Sequence, residues 1–214
     1  IIDHQFIIKM GKAFIQQFPV FDPTLFDPLV RKSGSWGKSI VLLRGVAMIL
    51  LGLAAGLRAS EVGKLTVCCW QSCLLESVYV HVKLAKNGRN GEESGAYLFR
   101  DTGSFEANMS AISFFEEFWF PFLKSQGVRQ SSSCTHTRFP ASHCQYCPPL
   151  FPTWPNSNKG GTRAVTPSEV TSVVKQWARL IGLDPSQYSA ISFRRGSVSL
   201  AAAAKVCRLS LIHI

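Results

Sequence analysis

The side chains best suited to chemistry in this sequence are basic, and three of them stand at junctions between elements. Arg58 follows Ala55-Gly56-Leu57, where a long apolar stretch ends and Ser60 opens the next helical signal. Arg194 lies in Ile191-Ser192-Phe193-Arg194-Arg195-Gly196, at the start of an alanine-rich stretch. Lys86 precedes Asn87-Gly88-Arg89-Asn90-Gly91, whose residues supply the turn of a hairpin. A guanidinium that emerges beside helix-terminal amides suits an anion, because its planar fork matches the oxygens of a phosphate.

A second set of residues could ligate a metal. Cys134, His136, His143, Cys144 and Cys147 are clustered, and Cys144-Gln145-Tyr146-Cys147 has the two-residue spacer of a zinc knuckle. A second clean pair is absent. The expectation is therefore thiols in a loop with no metal, and structural zinc is the alternative. The sequence has no phosphate-binding Gly-rich loop and no Ser/His/Asp arrangement, and no cofactor is expected.

The elements that must position these residues are mostly helical. Ser39 is the expected N-cap of a helix with Val46, Ile49, Leu50 and Leu53 on its apolar face and Gly56 as its stop. A short second helix starts at Ser60. Val78, Val80, Val82 and Leu84 alternate with Tyr79, His81, Lys83 and Ala85, the period of a half-buried strand with His81 on its exposed side; residues 96–99 return as the partner strand. Phe105 to Lys124 reads as one helix, its phenylalanines in the core. Residues 125–163, rich in Ser, Pro, Gly, Cys and His, read as a long surface loop or insertion. Thr166-Pro167-Ser168-Glu169 is a capping box with proline at the first helical position, and its helix stops at Gly182. A last helix carries Ser192 to Val206. Cys68, Cys69 and Cys73 read as core-facing strand residues. The expected class is α+β, mainly α: a helical bundle with a small antiparallel sheet.

Length and charge narrow the partners. The chain has 214 residues, enough for one sizeable domain, and 46% hydrophobic against 17% charged residues excludes bulk disorder. Residues 1–117 carry 12 basic and 11 acidic side chains, residues 118–214 carry 11 basic and 2 acidic. Nearly all the positive excess lies in one half, the footprint of a polyanion-binding surface, most commonly for nucleic acid. Seven cysteines, three of them crowded at 68, 69 and 73, do not form a tidy disulfide framework, and the expected compartment is reducing: intracellular, nucleus or cytoplasm. Arg44 interrupts the longest apolar stretch, and the run from Val46 to Leu57 is 12 residues, short for a bilayer. No membrane partner is expected.

Taken in order, Ala55-Gly56-Leu57-Arg58-Ala59-Ser60-Glu61-Val62, a Lys86-bearing hairpin, the helix from Pro167 to Gly182, and Ser192-Phe193-Arg194-Arg195-Gly196 resemble the catalytic domain of tyrosine recombinases, the phage integrase family. The resemblance covers about residues 40–208. It implies phosphoryl transfer on duplex DNA without a metal: Arg58 and Arg194 on the non-bridging oxygens of the scissile phosphate, Lys86 as general acid to the departing 5′ oxygen, and Glu61 orienting Arg58 or its polar neighbours. Lys83, Arg89, Lys159, Arg163 and Arg195 are the accompanying candidates for contacts to DNA, and a homo-oligomer on DNA is expected of the intact protein.

Two departures accompany the resemblance. The family places a histidine three residues before the second arginine, and here that position is Ile191, which cannot accept a proton. The family's nucleophilic tyrosine comes about thirty residues after that arginine, whereas the tyrosines here are Tyr79, Tyr97, Tyr146 and Tyr188. The expectation is a truncated, inactive chain from a mobile element, with residues 1–37 the end of an upstream domain or a linker, 38–208 the recombinase-like domain and 209–214 a non-native tail. The rivals are a DNA-binding relative that does not cleave, and a zinc-stabilised nucleic-acid module.

Overall fold

A helix that is apolar all round has to be covered on every side, and that requirement organises this molecule. The computed structural model describes residues 2–18, 34–73, 77–82, 94–99, 104–134, 146–153 and 163–203. Its helices are α1 (His4–Gln17), α2 (Gly34–Ala54), α3 (Ala59–Val62), α4 (Phe105–Asn108), α5 (Ala111–Phe114), α6 (Phe120–Ser125), α7 (Pro167–Leu180) and α8 (Ser192–Ala203). Its strands β1 (Trp70–Cys73), β2 (Ser77–Val82) and β3 (Ser94–Phe99) form one antiparallel sheet in that order, and β4 (Pro152–Thr153) pairs with β5 (Arg163–Ala164). The expected α+β, mainly helical architecture with a small antiparallel sheet is the one observed.

α2 is the central element. Leu43, Val46, Ala47, Met48, Ile49, Leu50, Leu51 and Leu53 are all buried, and α1, α7 and α8 pack around them. Two glycines let the covering helices come close: a Cβ on Gly45 would lie 2.5 Å from Val173 of α7, and one on Gly52 would lie 2.6 Å from the Phe193 ring of α8. The helix starts at Gly34, before the expected cap at Ser39, so Ser39 lies inside it. It stops at Gly56 as expected. With φ at 60°, Gly56 donates to Leu53 O at 3.2 Å while Leu57 N donates to Gly52 O at 2.8 Å, a closure that satisfies two terminal carbonyls. Gly182 (φ 76°) ends α7 in the same way, through Leu183 N to Ala178 O at 2.8 Å.

Several expectations are corrected. The first residues, read as a linker or upstream tail, contain α1, whose Phe6, Met10 and Phe14 belong to the main core. Phe105 to Lys124 is not one helix. Met109 takes a left-handed conformation (φ 53°), Ser110 caps a new start through Ser113 N, and a π-helical turn at Phe115–Trp119 separates α5 from α6. The broken path lets Phe105, Phe114 and Phe118 meet Phe14 of α1 edge to face. His81 is buried at 6% exposure: its Nε2 lies 2.9 Å from Gln71 Oε1 and the Tyr79 ring covers it. Cys68 and Cys69 lie on a 3-10 turn at Val67–Cys69 and only Cys73 is on a strand.

Within the stretch read as a surface loop, the described residues 146–153 are anchored inside the molecule. Leu150 and Phe151 are buried, Leu150 N donates to Leu65 O at 2.8 Å, Val67 N to Pro148 O at 3.1 Å and Trp119 Nε1 to Leu150 O at 3.2 Å. Arg44, the interruption in the apolar stretch, is buried and gives its Nη1 hydrogen to Pro152 O at 2.7 Å. Burial lowers its pKa below the ordinary arginine value, with Glu169 opposing that shift. Among the described residues no helix is long and apolar enough to cross a membrane.

Candidate functional site

The Gly56 turn releases the chain into α3, and the first side chain after it is Arg58. α3 is a single turn whose cap is supplied from within: Arg58 N donates to Glu61 Oε2 at 2.7 Å. The other carboxylate oxygen, Oε1, faces Arg58 Nη1 at 3.4 Å and Arg194 Nη2 at 3.7 Å. The Glu61 side chain is almost fully buried, while those of Arg58 and Arg194 keep 42% and 32% of their surface in solvent. One buried carboxylate therefore holds two guanidiniums that both reach outward, and burial behind them limits the screening that weakens exposed pairs.

Arg194 is fixed a second time. Its Nε donates to Gly56 O at 3.0 Å, so the turn that ends α2 also aims the arginine at the start of α8, 138 residues further along the chain. Phe193, fully buried against Gly52, anchors the same helical turn from the core side. Between α3, the first turn of α7 and the segment before α8 lies a cleft of about 690 Å³, lined among others by Arg58, Ser60, Pro167, Thr171, Ile191, Arg194 and Arg195. Three arginines border this cleft, whose lining is otherwise mostly apolar, and their guanidiniums at its edge suit an oxyanion.

Ile191 lines the same cleft at 70% exposure. A side chain there reaches the space in front of the arginines without touching the core. None of the four tyrosines lines the cleft: Tyr97 and Tyr146 are exposed elsewhere, Tyr79 meets His81 edge to face and Tyr97 at a tilt, and Tyr188 packs its ring 5.2 Å from Phe6. Burial raises the Tyr188 pKa, which keeps its hydroxyl protonated.

The remaining sequence candidates divide. Arg195 is exposed and lines the cleft. Arg163 is engaged: it forms a two-pronged pair with Glu169 at 2.8 and 3.1 Å, which lowers the Glu169 pKa to about 2. Lys83, Lys86, Arg89 and Lys159 lie outside the described residues, as do His136, His143 and Cys144. Cys134 and Cys147 do come together, and the partner they share is Cys68, with all three sulfurs within 4.8 Å of one another. Sequence reasoning missed Cys68 in that cluster, and missed Thr171 and Pro167 as a wall of the arginine cleft. Nothing in the spacing of residues 68 and 134 signals that they meet.

No protein-family model matches the sequence, and no curated protein matches it. Solved structures do. Two complexes of the XerH site-specific recombinase, one bound to difH substrate before cleavage and one to palindromic difH substrate after it, superpose on 99% of this chain with a TM-score of 0.57 at 12% identity. The chain spans 46% and 44% of those two structures, less than half their length. The Tn1549 transposon integrase with circular intermediate DNA gives a TM-score of 0.40 at 14% identity, over 85% of this chain and 55% of the integrase chain. The fold is that of the tyrosine recombinases.

Proposed function

We propose that this chain is a DNA-binding recombinase-like domain whose cleft grips one backbone phosphate of duplex DNA. The observation that carries the reading is the pairing of Arg58 and Arg194 on the buried Glu61 carboxylate at the edge of one cleft. Held this way, each guanidinium offers its outward N–H groups to a different non-bridging oxygen, and neither pays the entropy of finding its position when DNA arrives. Arg195 extends the grip to a neighbouring phosphate. Lys83, Arg89 and Lys159 are candidates for further contacts, and Arg163 joins them only by giving up Glu169. In the intact recombination chemistry Lys86 would protonate the 5′ oxygen as a tyrosine oxygen attacks phosphorus and the P–O5′ bond breaks. Assembly of several copies on DNA and a mobile-element origin belong to the same reading.

A binder without turnover is the form of this reading that Ile191 and the tyrosines favour. Ile191 lines the cleft at the position where the resemblance calls for a proton acceptor, and no tyrosine lines it. These 214 residues therefore hold and polarise a phosphate and do not cut.

Fluorescence anisotropy with a labelled duplex tests the grip. Affinity falls steeply with salt, Arg58→Ala and Arg194→Ala each weaken binding, and the double variant, which releases the one phosphate, flattens the log–log salt slope by about 0.9. A flat salt response in the unmodified chain, or variants that bind as it does, sinks the proposal. A nicked suicide duplex tests turnover: no covalent adduct is expected on a denaturing gel, and an adduct would reveal a nucleophile outside this assignment.

A further inference from the structure

We infer that Cys68, Cys134 and Cys147 form a thiolate site for a tetrahedral divalent cation, zinc in a cell, which pins Cys134 and the segment 146–153 to the turn that leads into the sheet. The three sulfurs come from separate places in the chain and lie within 4.8 Å of one another. Three thiolates on one zinc sit about 3.8 Å apart at Zn–S distances of about 2.3 Å, so small side-chain rotations close the cluster onto the ion. Cys68 and Cys147 are 8% and 7% exposed and Cys134 is half-buried, which leaves an approach from one side. None of the described cysteines is disulfide-bonded.

The surroundings fit a metal better than a hydrophobic contact. Cys68 and Cys147 form a small cluster apart from the main core, with Val67 and Cys134 packed against it. The backbone is already brought into register there: Thr66 bridges Pro149, and Val67 N donates to Pro148 O. Thr66 Oγ1 lies 3.1 Å from Cys68 Sγ, where its hydroxyl can donate to a thiolate and fix it as a ligand. Zinc has a fourth position beyond these three sulfurs, open to water or a further donor.

The site is separate from the arginine cleft and gives its metal a structural task. The described segment 146–153 meets the rest of the fold through Leu150, Phe151 and backbone hydrogen bonds such as Val67 N to Pro148 O, and a metal adds a cross-link between segments about seventy residues apart.

The test uses the whole chain, expressed with zinc in the medium and purified under reducing conditions. Elemental analysis is expected to give about one zinc per chain, with Cys68→Ser and Cys147→Ser reduced about tenfold and Cys73→Ser unchanged. Replacement by cobalt should produce the thiolate charge-transfer band and the strong visible bands of a tetrahedral sulfur site in the unmodified protein, a readout that needs no variant to fold. Metal-free protein whose cobalt form lacks the charge-transfer band overturns the inference. So does equal zinc in Cys68→Ser, or a disulfide between Cys134 and Cys147 recovered in place of metal.

Discussion

Arg58 and Arg194 reach Glu61 from the ends of two helices, whereas Cys68, Cys134 and Cys147 come from a 3-10 turn and two stretches of irregular chain. The first region is set by structures that close on themselves: the Gly56 turn, the Glu61 cap and the packing of Phe193 on Gly52. The second is set by backbone pairs between residues some eighty apart, such as Leu150 N to Leu65 O. The lesson is one of robustness. The cleft tolerates loss of an outer guanidinium and is broken from behind, through its buried carboxylate and its helix packing.

The largest effect is therefore expected from Glu61→Ala. The change leaves Arg58 N without its cap and two guanidiniums facing each other beside a buried site, a loss of about 3 kcal/mol in urea unfolding. Arg58→Ala removes only a half-exposed partner and costs about 1 kcal/mol or less. Equal losses in the two variants would mean that Glu61 is not the post on which the cleft is hung.

Gly52→Ala comes next. The new methyl carbon lies 2.6 Å from the buried Phe193 ring, so α8 must shift from α2, at a cost of about 2 kcal/mol. Because Arg194 follows Phe193, duplex binding should fall with stability, although Gly52 is remote from any phosphate. Unimpaired binding in a destabilised Gly52→Ala protein would show that α8 does not carry the grip.

The same contrast explains what could be read before the structure was known. The stops at Gly56 and Gly182 and the capping box at Thr166 are local codes, complete within six residues, and all three were legible. The basic residues at element junctions could be singled out because no core needs an arginine there. His81, the break at Met109 and the burial of Leu150 were not legible. Each depends on what another segment places opposite it: the Gln71 amide, the bare backbone of Gly11 against Met109, and the Leu65 carbonyl. Arg44 is the sharpest case. Read along the chain it interrupts an apolar helix, and in the fold it is the donor that ties α2 to Pro152.

The smallest expected effect lies at the seam between the two regions, where Arg163 of β5 pairs with Glu169 in the first turn of α7. The hydrogen bond from Arg163 is the main cause of the low Glu169 pKa, about 2 against an ordinary 4.5. A carboxyl whose pKa is depressed on folding adds stability that is fully present above its unfolded pKa and is lost as pH falls toward the folded one. The window is thus from about pH 4.5 down to about pH 2. Both partners are substantially exposed, so the contribution is small and shrinks in salt. Glu169→Gln removes the charge, and with it the ionic pairing to Arg163 and the attraction for Arg44, while the glutamine oxygen can still accept from Thr166 N. Above pH 5 the variant should be slightly less stable than the parent, and the two should converge as pH falls through that window, with the other carboxylates cancelling in the difference. A constant gap across the window would show that Glu169 acts through its cap alone, leaving Arg163 available to a phosphate and shifting the seam into the DNA-binding surface.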